Sequence, residues 1–321
     1  MDARGSHSGE SESEPDYQRR PPKRARHSPP PNHELTNGNG HASMSSPLPP
    51  LSLSILGVEP LDEFIREVAD FIHHTIMTRP PDLAGNVEVE AKIGILKEKT
   101  SGGRIILPVL SETILAPNSI DSRFESNMTA MQHKHYNTLL NNLKMNSHQA
   151  GHSSSPLSYS HLHLVDSFYA SDNPRDRDKI RVTRDEKSGE VLETMRKVRL
   201  ANLDIYSPKR AADWRISVNM EVPVPHPIGS PTHTRKKDRM SYTHEEFSID
   251  LTQVTSSGGP NSQPEVLHEL ELEFAHSALL LATAARRNDE SVPEPERYAF
   301  DELIRAFVNN ARILVRNAVP Q

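Results

Sequence analysis

Residues 265–277 read "EVLHELELEFAHS", and the fold turns on how that stretch is interpreted. Glu269, Glu271 and Glu273 alternate with Leu270, Leu272 and Phe274, a period of two that fits a strand far better than a helix. Successive side chains of a strand point to opposite faces, so the three carboxylates share one face at about 7 Å intervals and the apolar residues share the other. Taken alone, the stretch is equally well explained as a half-buried strand with its glutamates in water. The rest of the chain has to decide.

Seven further segments repeat the pattern of one apolar and one polar face. "NVEVEAKIGIL" sets Glu88, Glu90 and Lys92 opposite Val87, Val89 and Ala91. "HLVDSFY" carries Asp166 beside Leu164 and Phe168, a partial departure. "DKIRVTRD" aligns Lys179, Arg181 and Thr183, and "ETMRKVRLANLDIY" aligns Glu193, Met195, Lys197 and Arg199. "ADWRISVNMEVPVP" faces Asp213, Arg215, Ser217, Asn219 and Glu221 one way and Trp214, Ile216, Val218, Met220 and Val222 the other. "TRKKDRMSY" has Arg235, Lys237, Arg239 and Ser241 in register, and "FSIDLTQV" has Ser248, Asp250 and Thr252.

Eight such strands flanked by helices that need a docking surface place the apolar faces outward and the charged faces inward. The fold expected is mainly β with flanking helices, a closed eight-stranded antiparallel barrel with a polar lumen. An open sheet with solvated charges would hardly separate acidic strands (Glu88 and Glu90; Glu269, Glu271 and Glu273) from basic ones (Lys179 and Arg181; Lys197 and Arg199; Arg235, Lys237 and Arg239). Acidic rows enclosed together cannot all ionise without a cation. Carboxylate donors without cysteine or a histidine triad fit Mg²⁺ or Mn²⁺, and rows of Arg and Lys fit a chain of phosphates.

Composition bounds the same picture. The 321 residues include 26 prolines and are only 35% hydrophobic, so part of the chain is expected not to fold. Residues 1–57 are Ser/Pro-rich and read as a disordered tail ahead of a catalytic domain over 58–321. Lys23, Arg24 and Arg26 form a candidate nuclear import signal in that tail, and the location expected is the nucleus. A net charge of -6 argues against coating nucleic acid by bulk electrostatics, and the lack of cysteine excludes disulfides, thiolate metal sites and a cysteine nucleophile. No apolar run is long enough to span a bilayer, so no membrane partner is expected.

Helices are expected over "EPLDEFIREVADFIHHTI", over "SRFESNMTAMQHKHYNTLLNNLKM" with Met128, Met131, Leu139 and Leu143 as its apolar side, and over "YAFDELIRAFVNNARILVRNAV". His161 and His163 in "SHLHL" read as ordinary strand histidines, because no third imidazole stands at a matching spacing.

The glutamate strands "VEVEAK" and "ELELEF" at opposite ends of the domain, with "LDIYSPKRAADWRISVNMEVPVP" and "RKKDRMSY...FSIDLTQV" between them, resemble the fungal-type RNA 5′-triphosphatases. These are the β subunits of mRNA-capping enzymes, within the triphosphate tunnel metalloenzymes, and the likeness covers residues 58 to about 317. The resemblance implies metal-dependent removal of the γ-phosphate from the 5′-triphosphate end of nascent mRNA. It implies that Glu88, Glu90 and Glu273 hold the metal, with Glu269 and Glu271 supporting. Arg181 and Lys197 are then γ-phosphate contacts, Arg235, Lys237 and Arg239 further phosphate contacts, and Glu221 the carboxylate that positions or deprotonates water. Asp166, Asp250 and Thr252 match polar wall positions, whereas Ser248 departs from the family pattern and Asp213, Arg215 and Asn219 have no assigned role.

The family likeness also implies a homodimer and cooperation with the mRNA guanylyltransferase. The Trp-bearing peptide through which some relatives dock that partner has no counterpart before residue 58, which leaves recruitment by the RNA polymerase II C-terminal domain as the other route. The competing readings are a tunnel-type inorganic polyphosphatase or nucleoside triphosphatase, and, from a different class, a non-catalytic RNA-binding or scaffold barrel.

Overall fold

The computed structural model describes residues 52–57, 59–60, 62–152, 154–171, 178–257 and 263–320. The tail expected over residues 1–57 lies outside these apart from 52–57, a single turn closed by Gly57 N donating to Ser54 O at 3.0 Å. The description below concerns the unit Glu59–Gln321.

Eight strands close on themselves. In chain order they are β1 (Asn86–Glu98), β4 (Ser158–Tyr169), β5 (Ile180–Asp185), β6 (Val191–Tyr206), β7 (Asp213–Pro223), β8 (His233–His244), β9 (Phe247–Ser257) and β10 (Glu265–Phe274). Around the barrel the order is β10-β9-β8-β4-β5-β6-β7-β1, and β1 pairs back to β10, every pairing being antiparallel. Closure removes all free edges from the eight-stranded ring. Two short strands add to its outside: β2 (Thr113–Leu115) on β6 and β3 (Ser122–Glu125) on the end of β1.

The parity read from the sequence is the parity of the barrel wall. Val87, Val89, Ala91 and Ile93 of β1, Trp214, Ile216, Val218 and Met220 of β7, and Leu270 and Leu272 of β10 are buried in one outward-facing core. Onto it pack α1 (Glu63–Met77), α3 (Ser277–Arg286) and α4 (Glu294–Arg316), the last through an apolar stripe of Phe300, Ile304, Phe307, Val308, Ala311 and Leu314. Each large apolar side chain fully enclosed there contributes about 1.5–3 kcal/mol. Asp62 fixes the start of α1 by accepting hydrogen bonds from Phe64 N at 3.0 Å and Ile65 N at 3.2 Å.

Three features differ from the sequence reading. The segment taken as one long helix from Ser122 splits into β3 and α2 (Ala130–Ser147), because Thr129 and Gln132 make a reciprocal capping box that starts the helix late. The face of α2 that packs inward is only partly the expected one: Met128, just ahead of the helix, is buried and Leu139 packs half-buried on the core, but Gln132, Tyr136 and Leu140 are the helix's buried residues, while Met131 is 76% exposed and Leu143 37%. Gln132 Nε2 donates to Val319 O at 2.7 Å and Tyr136 OH to Leu314 O at 2.9 Å, so polar groups can occupy the buried side at little cost. Finally, α3, β2 and β3 were not anticipated from the sequence pattern.

One irregularity shapes the lumen. β6 bulges between Arg199 and Ala201, so beyond it Asn202 and Asp204, opposite Ser217 and Arg215, take over the face that Lys197 and Arg199 occupy before it. At the entrance to β1, Gly85 lies against the end of β7: a Cβ there would come within 2.3 Å of Glu221 O. Only glycine permits that approach, which sets Glu221 opposite Asn86 at the edge of the acidic wall.

Candidate active site

The barrel encloses a cavity of about 440 Å³ lined by charged side chains from seven of its strands. β1 and β10 supply the acidic wall. Glu90 stands opposite Glu273 and Lys92 opposite Glu271 in the ladder between them, so carboxylates far apart in sequence meet across two adjacent backbones. β5, β6 and β8 supply the basic side with Arg181, Lys197, Arg199, Arg235, Lys237 and Arg239. Glu221 on β7 sits between them, opposite Lys197 in the β6–β7 ladder.

The two sides interlock. Lys197 Nζ lies 2.5 Å from Glu88 Oε2 and 3.4 Å from Glu90 Oε2. Asn219, fully buried, donates through Nδ2 to both glutamates, at 2.9 Å to Glu88 Oε2 and 3.2 Å to Glu90 Oε1. Arg181 Nη2 reaches Glu221 Oε1 at 3.3 Å. Lys92 bridges Glu271 and Glu90, the latter at 3.5 Å. Lys237 pairs with the buried Asp166, which also accepts from Thr183 Oγ1 at 2.8 Å.

These pairings set the proton affinities. Burial works to raise the Glu271 carboxyl, but the ammonium of Lys92 and the guanidinium of Arg239 overcome it and hold the group well below the usual carboxylate range. Glu273, on the same strand face, has the opposite fate. Burial first, then the carboxylates of Asp250, Glu88 and Glu271, push it up to about 8, and Arg239 does not compensate. A buried carboxyl whose ionisation is disfavoured by like charges, set with Glu88 and Glu90 so that three carboxylates offer oxygen ligands, is a donor set that a hard divalent cation fits. On the basic side, the Nε–H groups of Arg181 and Arg235 are buried and make no hydrogen bond among the described residues, leaving donors for an anionic ligand.

Most residues singled out in the sequence meet here: Glu88, Glu90, Asp166, Arg181, Lys197, Glu221, Arg235, Lys237, Arg239, Glu269, Glu271 and Glu273 all line the cavity. Asp250 and Thr252 stand behind the wall instead. Asp250 Oδ2 holds Arg239 Nη1 at 2.6 Å, Thr252 Oγ1 accepts from Arg239 Nε at 3.1 Å, and Ser241 and Ser248 donate to the other Asp250 oxygen at 2.7 and 3.2 Å. Ser248 therefore acts on the site through Asp250. Asp213 is buried at the foot of β7, accepting from Leu96 N, Ser207 N and Arg104, and Arg215 forms a two-point pair with Asp204 at 2.6 and 2.8 Å. Both carry structure. Lys92, Lys179, Glu193 and Arg199 also line the cavity, although the sequence marks them only as part of a charged face. Asn219 had the right parity, but an asparagine in a row of charges gave no sign that it would bridge two glutamates.

A closed barrel with one acidic and one basic wall around a polar lumen defines the triphosphate-tunnel class of phosphohydrolase. A family profile described as "mRNA capping enzyme, beta chain" matches residues 58–320. The chain belongs to that family. It is 36% identical over 272 residues to the mRNA-capping enzyme subunit beta of Schizosaccharomyces pombe, covering 84% of this chain and 86% of that one. It is 35% identical to the Cryptococcus neoformans subunit beta, covering 84% of this chain and 65% of that one. Among solved structures it is similar to the S. pombe Pct1 RNA triphosphatase in complex with the Spt5 CTD, with a TM-score of 0.75 and 35% identity over 84% of this chain and 100% of that one.

Proposed function

We propose that the protein is an RNA 5′-triphosphatase that removes the γ-phosphate from the triphosphate end of nascent mRNA, leaving the diphosphate end from which cap formation proceeds. The observation that carries this reading is the opposition of the β1/β10 carboxylates to the β5, β6 and β8 cations within one enclosed lumen.

In this reading Arg181 and Lys197 grip the γ-phosphate, and Arg235, Lys237 and Arg239 neutralise the rest of the chain, offsetting the charge that builds on the departing diphosphate end. Glu221, oriented by Arg181 at 3.3 Å, aligns the attacking water and accepts its proton. Arg239 is pre-set by Asp250 and Thr252, so the phosphate meets a guanidinium that needs no reorganisation. Glu88, Glu90 and Glu273 would hold a Mg²⁺ or Mn²⁺ ion, with Glu269 and Glu271 supporting, and the bound cation supplies Lewis-acid polarisation of phosphoryl oxygens.

Nuclear residence, a homodimer and cooperation with the guanylyltransferase belong to the same proposal and are supported by family membership. Recruitment through a transcription-linked C-terminal repeat domain is supported by the S. pombe complex with the Spt5 CTD. The test is phosphate release from triphosphate-ended RNA against free ATP and tripolyphosphate, with Mg²⁺ or Mn²⁺. Preference for RNA, abolished in Glu88→Ala and Glu273→Ala, is expected. Equal or better turnover of tripolyphosphate would favour the polyphosphatase reading, and near-normal turnover in either variant would refute the metal assignment.

A further inference from the structure

On the outside of the barrel, away from the lumen, β4 and β8 bring together three side chains that the catalytic reading does not use. His161 and His163 are two apart on β4 and therefore share its outer face, since Leu164, Asp166 and Phe168 line the cavity. Asp238 lies on the neighbouring strand, directly opposite His163 in the ladder. His161 Nε2 is 2.5 Å from Asp238 Oδ1, His163 Nδ1 is 3.9 Å from the same oxygen, and the two imidazole rings pack at 4.4 Å. One donor atom from each residue falls within 4.8 Å of the others.

We infer that His161, His163 and Asp238 form a second metal site, on the outer barrel surface, that takes Zn²⁺ or a similar borderline transition metal. Two imidazoles at i and i+2 of one strand with a third donor from the adjacent strand converge on a point above the sheet, the arrangement a tetrahedral ion with three protein ligands requires. Donor softness separates the two sites. Imidazole nitrogen favours Zn²⁺, Co²⁺, Ni²⁺ or Cu²⁺, whereas the all-oxygen lumen favours Mg²⁺ or Mn²⁺. The three side chains are 43%, 52% and 50% exposed, so an ion reaches them from solvent and the fourth position is left to water. Occupancy would clip β4 to β8, the strands whose inner faces carry Asp166 and the Arg235, Lys237 and Arg239 row.

The experiment uses the full chain with the lumen saturated by Mg²⁺. Co²⁺ is added as a spectroscopic probe and then displaced by Zn²⁺. The expected result is one equivalent of Co²⁺ with the intense visible bands of tetrahedral coordination, displaced by Zn²⁺ and lost in His161→Ala/His163→Ala and in Asp238→Asn. Mg²⁺-dependent phosphate release should be unchanged in both variants, which also shows that they fold. Weak octahedral bands alone would overturn the inference, as would tetrahedral bands that persist in the double variant, since those would arise elsewhere in the protein.

Discussion

Asn219 offers a direct test of how the acidic wall is organised. Its Nδ2 spans Glu88 and Glu90 at 2.9 and 3.2 Å, and its Oδ1 is buried with no donor among the described residues. Replacing it with alanine removes two hydrogen bonds to charged groups, each contributing about 1.5–3 kcal/mol, and relieves a buried orphan acceptor that costs about 1–3 kcal/mol. The net loss of stability is on the order of 2 kcal/mol, which a folded domain tolerates. The two carboxylates keep Lys197 as a counter-charge but lose the group that fixes their relative orientation. Loss of such an orienting partner typically costs about 10–100-fold in metal affinity or activity. Phosphate release measured across a Mg²⁺ titration should therefore show half-saturation in Asn219→Ala raised by that factor. Asn219→Asp should be worse, because a further carboxylate about 3 Å from each glutamate adds roughly 5 kcal/mol of repulsion per pair at an effective dielectric of 20. If Asn219→Ala matches the unsubstituted protein within twofold in both half-saturation and maximal rate, the bridge does not organise the site.

Arg239→Ala should lose activity and stability together, because it strands Asp250, 3% exposed, without its cation; a loss of about 3–5 kcal/mol is expected for breaking such a pair. An inactive variant with an unchanged urea midpoint would contradict this. Chelation should lower the melting temperature, since an ion at a hundredfold excess over its Kd contributes about 2.7 kcal/mol; the Mg²⁺-induced gain should vanish in Glu273→Ala. Acid should destabilise the protein through His133, whose imidazole is lowered to about 4, first by burial and then by His268. Its folded value lies below the ordinary 6.5, so the folded state excludes a proton that the unfolded chain takes up. The stability present above pH 6.5 is thus lost as pH falls toward 4, and because the ring is only partly buried solvent screening keeps the loss to about 1 kcal/mol. His133→Gln should flatten that part of the profile, and an unaltered slope would assign the acid sensitivity elsewhere.

The sequence alone determined the architecture and most of the lumen, because strand parity is a local property. Which face of "ELELEF" or "VEVEAK" is charged is settled by alternation, and eight segments sharing one rule leave few ways to bury their apolar faces. What local pattern cannot carry is who stands next to whom. Glu90 faces Glu273, and Lys92 faces Glu271, only because β1 pairs with β10 to close the barrel. Burial, then Asp250 of β9 and Glu88 of β1, pushes Glu273 up while Lys92 of β1 and Arg239 of β8 pull Glu271 down, a division invisible in three identical residues on one strand. Parity also placed Asp213, Arg215 and Asn219 together, yet the bulge in β6 and the register of β7 send the first two into structural pairs and the third onto Glu88 and Glu90. The pair of histidines on β4 lacked a third donor in the sequence because the one that completes it is a carboxylate on β8, brought opposite by the barrel's strand order. Periodicity is read along the chain, whereas register across strands is fixed by contacts distant in sequence, and the chemistry of both sites depends on the second.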